Sequence, residues 1–450
     1  MNTLLTLDST DWKALASRLG ALQDGAPGSA LLSLSLDLGN NDTDWLDLQP
    51  QTPEFCYWAR PEQGLYRLGL GRAVVCTSAG PARLTALQAA HTGMLQHWRH
   101  DDGGCGNVPI ACLGFAFDDD GSDPLPNAQL GVPSILLSRQ EGRNRVTFST
   151  TAREAKDALN RWRTLLAGDN GTDTALPVAG GDRTLARRAW SARVAAAIAS
   201  IASGELDKVV LSRTQHLTLE RPITPGALLR RLIERQPAAT VFAIGNRHAI
   251  FLGASPEQLV GLDGREVRAD ALAGTGWAAH PLHADKNRRE QALVVDAVRE
   301  ALVPLCATLE VPQMPQVMVL QGLRHLLTPI TGTLLPEKTL FDLIAALHPT
   351  PAVGGWPTAA AAEWLRQHHE KRRGWYGGGI GWIDGTGNGE IAVGLRCALI
   401  EGMRVELAAG AGIVAGSDAD QEFDETEAKF ATMLDALHLR ETAPCRTGTR

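Results

Sequence analysis

In Lys208-Val209-Val210-Leu211-Ser212-Arg213 a period of two places Lys208, Val210 and Ser212 on one face of a strand otherwise made of buried-type residues. Desolvation disfavours an ammonium held there and turns the amine into a general base near neutral pH; the alternative is a strand-end lysine reaching water along the sheet. Glu257 follows a short apolar strand and a turn in Phe251-Leu-Gly-Ala-Ser-Pro-Glu257. It either faces a cleft as a general acid or sits in the first turn of a helix begun by Pro256, where the helix dipole favours it.

Two helical patterns carry further carboxylates. Over 284–302 the residues Leu293, Val294, Ala297, Val298 and Ala301 define an inward face, and Glu290 precedes the first two by three and four positions. Over 422–438 the same spacing lines up Glu422, Glu425 and Lys429 beside the core stripe Phe430, Met433, Leu434 and Leu437. Inward carboxylates on two helices can share a hard divalent cation, and few protein ligands with room for substrate oxygens suit Mg²⁺. Ordinary acidic residues near a helix N-terminus explain Glu422 and Glu425 as well.

Arg396 is read on a strand over 390–400, sharing its face with Ala392, Gly394 and Ala398, so the guanidinium has space beside it. A carboxylate gripped by two parallel hydrogen bonds fits that space, and so does a structural salt bridge. Glycines cluster at 274–276, 377–379 and 410–412, where backbone N–H groups approach an anion or the chain simply turns. No GxGxxG follows a strand and no GK[ST] occurs, which disfavours nucleotides. Among 12 histidines there is no HExxH and no Cys/His pairing for zinc, and no nucleophile elbow supports a hydrolase triad.

The elements that must position these groups are short strands and helices. A hairpin is expected from 134–138 and 146–150, a helix over the stripe Ala155, Ala158, Leu159, Trp162, Leu165 and Leu166, and a helix over 183–203 before the lysine strand. Strands over 378–384, 390–400 and 403–409 read as a meander. The polar, Gly/Pro-rich stretch 168–177 is the candidate boundary. Strands alternating with helices predict a mixed α/β (α+β) architecture, large sheet layers covered by helices.

Composition narrows the function class. At 450 residues, 44% hydrophobic and 21% charged, the chain holds a large enzyme-like core or two to three domains, not a disordered or fibrous chain. With 43 basic against 50 acidic side chains, a net charge of −7 and no basic block, neither nucleic acid nor an acidic membrane is an expected partner. Seven scattered cysteines without CxxC disfavour a disulfide framework and a zinc knuckle, and suggest a reducing compartment. No cationic leader and no run of ~18 apolar residues is present, so a cytoplasmic location is expected.

Eight segments taken in order resemble the chorismate-utilising enzymes. They are the lysine hexapeptide, Gly253-Ala-Ser-Pro-Glu257, Leu272-Ala-Gly-Thr275, Lys286-Asn-Arg-Arg-Glu290, Leu347-His-Pro-Thr-Pro351, Leu395-Arg-Cys397, Ala409-Gly-Ala-Gly-Ile-Val414 and Glu425-Thr-Glu-Ala-Lys429. The likeness spans about 183–439 and is strongest to isochorismate synthases; the first 180 residues match only loosely.

The resemblance implies a mainly antiparallel chorismate-utilising fold and Mg²⁺-dependent isomerisation of chorismate to isochorismate. It makes Lys208 the base that activates water and Glu257 the acid that protonates the leaving C4 hydroxyl. Glu290 and Glu425 become metal ligands, with Glu422 an outer-shell partner. Arg396, Gly410 and Gly412 receive the enolpyruvyl carboxylate, Gly274 and Thr275 lie near the ring carboxylate, and Tyr376, His325 and Lys429 complete the pocket. Residues 1–180 then supply sheet and helical cover, 181–440 the catalytic region and 441–450 a flexible tail.

Lys208 argues against anthranilate-forming relatives, which resemble this region but carry glutamine there, so no glutamine amidotransferase subunit is expected and a monomer is. Salicylate synthases, which go on to eliminate pyruvate, generally have threonine where Ala352 stands; alanine favours stopping at isochorismate. Asn287 departs from the acidic residue of some relatives. A chorismate-binding regulator without turnover is the non-enzymatic alternative, against which intact Lys208 and Glu257 count. Whether isochorismate would feed menaquinone, salicylate or a catechol siderophore depends on the next enzyme.

Overall fold

A computed structural model of the chain describes residues 7–40, 44–47, 53–121, 124–167, 177–178, 183–276, 282, 285–320, 323–368 and 373–437. The boundary expected at 168–177 and the tail at 441–450 lie almost wholly outside them. Within them the chain forms two large sheets, of 13 and 10 strands, in which every pairing but one is antiparallel. Apolar residues of both sheets, among them Trp58, Phe242 and Phe251 from one and Leu113, Val260 and Ile391 from the other, share one core, so the sheets pack face to face. Helices Ser9–Gln23, Ala155–Leu166, Pro225–Arg235 and Ala419–Ala436 cover the outer face of the larger sheet around a second core. The mixed architecture read from the sequence is the one observed.

Both sheets interleave early and late strands. In the larger, Lys208–Leu219, Arg404–Val414, Cys397–Glu401, Ile250–Ser255 and Thr240–Gly245 continue directly into Phe55–Arg60 and Leu65–Leu70. In the smaller, Glu266–Gly276, Gln258–Asp263, Gly389–Val393 and Gly379–Asp384 continue into Ile110–Phe115. The hairpin forms as Ile135–Gln140 and Arg143–Thr151, turning at Glu141 and Gly142, and the helix at Arg183–Ala202 follows its expected span.

Two expectations are corrected. The stretch 390–400 is not one strand: Gly389–Val393 belongs to the smaller sheet and Cys397–Glu401 to the larger, so the expected meander is two separate hairpins. The chain crosses between sheets at Arg396, whose φ of 49° no regular strand allows, so the guanidinium does not share a strand face with Ala392 and Ala398. Among the described cysteines Cys56 and Cys112 pair as one disulfide between the two sheets, and Cys76, Cys105, Cys306 and Cys397 are free, so no disulfide framework forms. Among the described residues no helix is long and apolar enough to cross a membrane.

Candidate active site

The register of the lysine strand decides what surrounds Lys208. Lys208 pairs with Val414, Val210 with Gly412 and Ser212 with Gly410, so the glycines lie on the face that carries the lysine. Lys208 is fully buried. Its Nζ donates to Glu290 Oε1 at 2.9 Å, from helix Asp285–Leu302, which packs on the smaller sheet. Glycine at 412 is what lets them meet, since a Cβ there would stand 2.6 Å from Glu290 Oε1 and 2.8 Å from Lys208 Cε. A lysine reaching water is thereby excluded.

The three carboxylates expected to hold a cation are each bound to a lysine. Lys429 Nζ pairs with Glu425 Oε1 at 2.6 Å and donates to Gly410 O at 2.7 Å, one helical turn and one strand apart. Glu422, buried near the start of Ala419–Ala436, is paired with Lys286, one turn before Glu290 on its own helix. Burial would raise the Glu290 carboxyl, but Lys208, Lys286 and Lys429 together hold it below the usual carboxylate range. Glu422 moves the other way, raised by burial and then by the adjacent Glu425 charge, against the pull of Lys286.

Among the described residues no three acidic, His or Cys side chains lie close enough together to form a ready-made metal cage. The donor chemistry nonetheless suits a hard cation. Glu290 and Glu425 line one cavity with oxygen donors, and the charges of Glu290, Glu422 and Glu425 all reach the Lys286 ammonium. A cation there competes with three lysines for the same oxygens.

Glu257 lines the same cavity from the turn between Ile250–Ser255 and Gln258–Asp263, and no helix follows it, so the helix-start reading fails. It is only 3% exposed. Its Oε1 accepts from Thr350 Oγ1 at 3.5 Å. Burial, then the nearby Asp270 charge, push its carboxyl up to about 8, while Lys208, Thr350 and Arg396 oppose the shift. Glu257 is therefore a carboxylic acid at neutral pH.

Arg396, held by the crossover, points its Nη2 at His325 Nε2 at 3.1 Å, and His325 Nδ1 lies 3.3 Å from Thr275 Oγ1. Since arginine only donates, Nε2 accepts and the imidazole is neutral with its proton on Nδ1. Burial and the charges of Arg396 and Lys429 push its pKa well below the usual histidine value in the same sense. Arg396 Nε is buried with no partner, an unmet donor aimed at no protein acceptor. Gly274 turns the chain at a φ of 64°, with Asn287 packed against it and donating to Leu282 O at 3.1 Å and Thr275 O at 3.4 Å.

Gly274, Thr275, His325, Tyr376, Arg396, Gly410, Gly412, Glu425 and Lys429 all line the cavity that Glu257 and Glu290 face; Lys208 reaches it through Glu290, and Glu422 stands behind Glu425. Val210, Leu272, Val353 and Leu395 give it apolar walls. Sequence reasoning gave no role to Lys286, Thr350 or Asp270, although the first two stand inside quoted segments and Asp270 directly precedes the small apolar run Ala271, Leu272 and Ala273. A larger cavity of about 390 Å³ lies on the other side of Tyr376, mostly apolar and without an acid and base facing each other.

Known proteins resemble the chain over most of its length. A family described as "Chorismate binding enzyme" matches residues 21–438. The chain is 36% identical over 423 residues to the salicylate biosynthesis isochorismate synthase of Pseudomonas aeruginosa, covering 86% of this chain and 85% of that one. It is 32% identical over 417 residues to the isochorismate synthase MenF of Bacillus subtilis, covering 85% and 87%. The crystal structure of MenF, the menaquinone-specific isochorismate synthase of Escherichia coli, superposes with a TM-score of 0.78 at 26% identity over 94% of this chain and all of that one.

Proposed function

The chain belongs to the chorismate-binding enzyme family, and we propose that within it the protein is an isochorismate synthase, an isomerase that moves the hydroxyl of chorismate from C4 to C2. The observation that carries this reading is a protonated Glu257 lining one small cavity together with Glu290, the partner of the buried Lys208. Isomerisation needs such a pair, since a proton must leave the incoming water as another reaches the departing hydroxyl.

Lys208 rests as an ammonium paired with Glu290; once it has released that proton, its amine takes one from the water that bonds to C2. The ring double bond shifts, the C4–O bond breaks, and Glu257 gives its proton to that oxygen so that it leaves as water. One water enters and one departs, so no redox partner is required. Arg396 supplies its unmet Nε and an Nη to the enolpyruvyl carboxylate, with neutral His325 fixing the guanidinium without adding charge. Backbone at Gly410 and Gly412 borders the same group, and Gly274 and Thr275 border the ring carboxylate.

Mg²⁺ is the cation we assign to Glu290 and Glu425, with Glu422 behind them; bound there it supplies positive charge for the ring carboxylate. Asn287 is spent on backbone carbonyls, so its replacement of an acid leaves the carboxylate set unchanged. Lys208 in place of glutamine favours water over ammonia and a chain working without an amidotransferase subunit.

The test is incubation of the purified chain with chorismate and Mg²⁺ and separation of the products. Isochorismate alone supports the proposal. Salicylate with pyruvate would make the protein a salicylate synthase despite Ala352, and unchanged chorismate would make it a binding protein.

A further inference from the structure

Behind the acid, on the side away from the substrate cavity, lies a second carboxylate. Asp270 is on strand Glu266–Gly276, and its Oδ2 accepts from the backbone N–H of Gln258 at 3.3 Å, the residue directly after Glu257. The Gln258 side chain is in turn held by Arg60, whose other nitrogen pairs with Glu390 at 3.3 Å. The ladder is irregular here, with a register shift between Gln258 and Val260, so strand pairing alone does not fix the peptide after Glu257. A separate cavity of about 220 Å³, lined by Arg60, Pro256, Gln258 and Asp270, backs onto this turn.

We propose that Asp270 is a positioning residue for Glu257: it clamps the peptide that follows the acid and sets a negative charge behind it, so that the acid keeps its proton until the hydroxyl leaves. The proposal rests on Glu257 being the acid of the isomerisation.

The charges around Glu257 make the effect specific. Lys208 and Arg396, from the larger sheet and the crossover, favour its ionised form, and Asp270 alone among its close charged neighbours opposes it. His325, Glu290, Glu425 and Lys429 lie further along the cavity. Asp270 itself is raised to about 6, by burial first and by Glu390, against its bond to Gln258 and the Arg60 charge. Between about 6 and 8 Asp270 is thus charged while Glu257 still carries its proton.

The experiment compares pH profiles of kcat/KM for chorismate in the wild type, Asp270→Asn and Asp270→Glu. Asparagine can still accept from Gln258 but carries no charge, so its alkaline limb should move down by about one pH unit, a roughly tenfold loss on that side, with the acid limb in place. Glutamate restores the charge and should restore the limb. An alkaline limb unmoved in Asp270→Asn overturns the proposal.

A second measurement needs neither turnover nor a folded variant. In wild-type protein labelled at its carboxyl carbons, the Glu257 resonance should titrate in two steps, the first following Asp270; a single step overturns the coupling. No isochorismate from the wild type would defeat the functional reading, and this titration would still decide the coupling.

Discussion

Glu257 and Glu290 are the same residue type, face the same cavity and are both withdrawn from water, yet their carboxyl groups are shifted in opposite directions. On the helix wall each carboxylate is held by a lysine, Lys286 and Lys429 from the helices and Lys208 from the facing strand, and Glu290 stays charged. On the strand wall Glu257 has a hydroxyl for its partner and Asp270 for its neighbour, and it stays neutral. Burial raises both carboxyls; it prevails at Glu257, where Asp270 adds to it, and is overridden at Glu290 by the three lysines. Charged neighbours turn one glutamate into an anion fit for a cation and leave the other a proton donor.

The harshest test of that contrast removes its two poles. Lys208→Ala and Glu257→Gln should each cost about 10²–10⁴ in kcat, read as isochorismate formed from chorismate, with the folded state checked by circular dichroism. Near-normal turnover in either would remove that residue from the mechanism.

Separating the lysine and glutamate without deleting them is gentler. The methyl of Gly412→Ala intrudes on both side chains, and a displacement of this kind should cost up to about 10²-fold in kcat with a smaller change in KM. An unchanged kcat would mean the Lys208–Glu290 contact is not needed in that form.

Glu290→Gln or Glu425→Gln should raise the Mg²⁺ concentration for half-maximal activity by about tenfold or more, whereas Glu257→Gln should leave that requirement alone. Equal Mg²⁺ responses from the two walls would erase the distinction. The mildest probe is pH: a Glu257 proton held up to about 8 means kcat/KM falls as pH rises through that value, since the acid form is present below it and lost above it. Glu257→Gln should abolish that limb.

Much of this site could be read from residue order because it is carried on regular elements. Period two put Lys208 on the face that later met Gly410 and Gly412, and helical spacing put Glu290 inward and Glu422, Glu425 and Lys429 on one strip. What stayed hidden depends on contacts between distant segments. Alternation over 390–400 looks the same whether a run stays in one sheet or leaves it, so the crossover at Arg396 was not visible. The pairing of Lys286 with Glu422 spans 136 positions, and the clamp of Asp270 on Gln258 joins neighbouring strands through a side chain that no periodicity marks.

The interleaving of early and late strands bears on how such a protein can be divided or recombined. A gene fragment starting near residue 183 would encode every side chain of the cavity, yet Thr240–Gly245 would lose Phe55–Arg60 and Gly379–Asp384 would lose Ile110–Phe115. Each sheet would then end in a bare edge of unpaired amides, a template for other chains. Such a fragment should precipitate rather than catalyse, so the reaction chemistry is not a portable cassette: it is inherited with the whole barrelless scaffold or not at all.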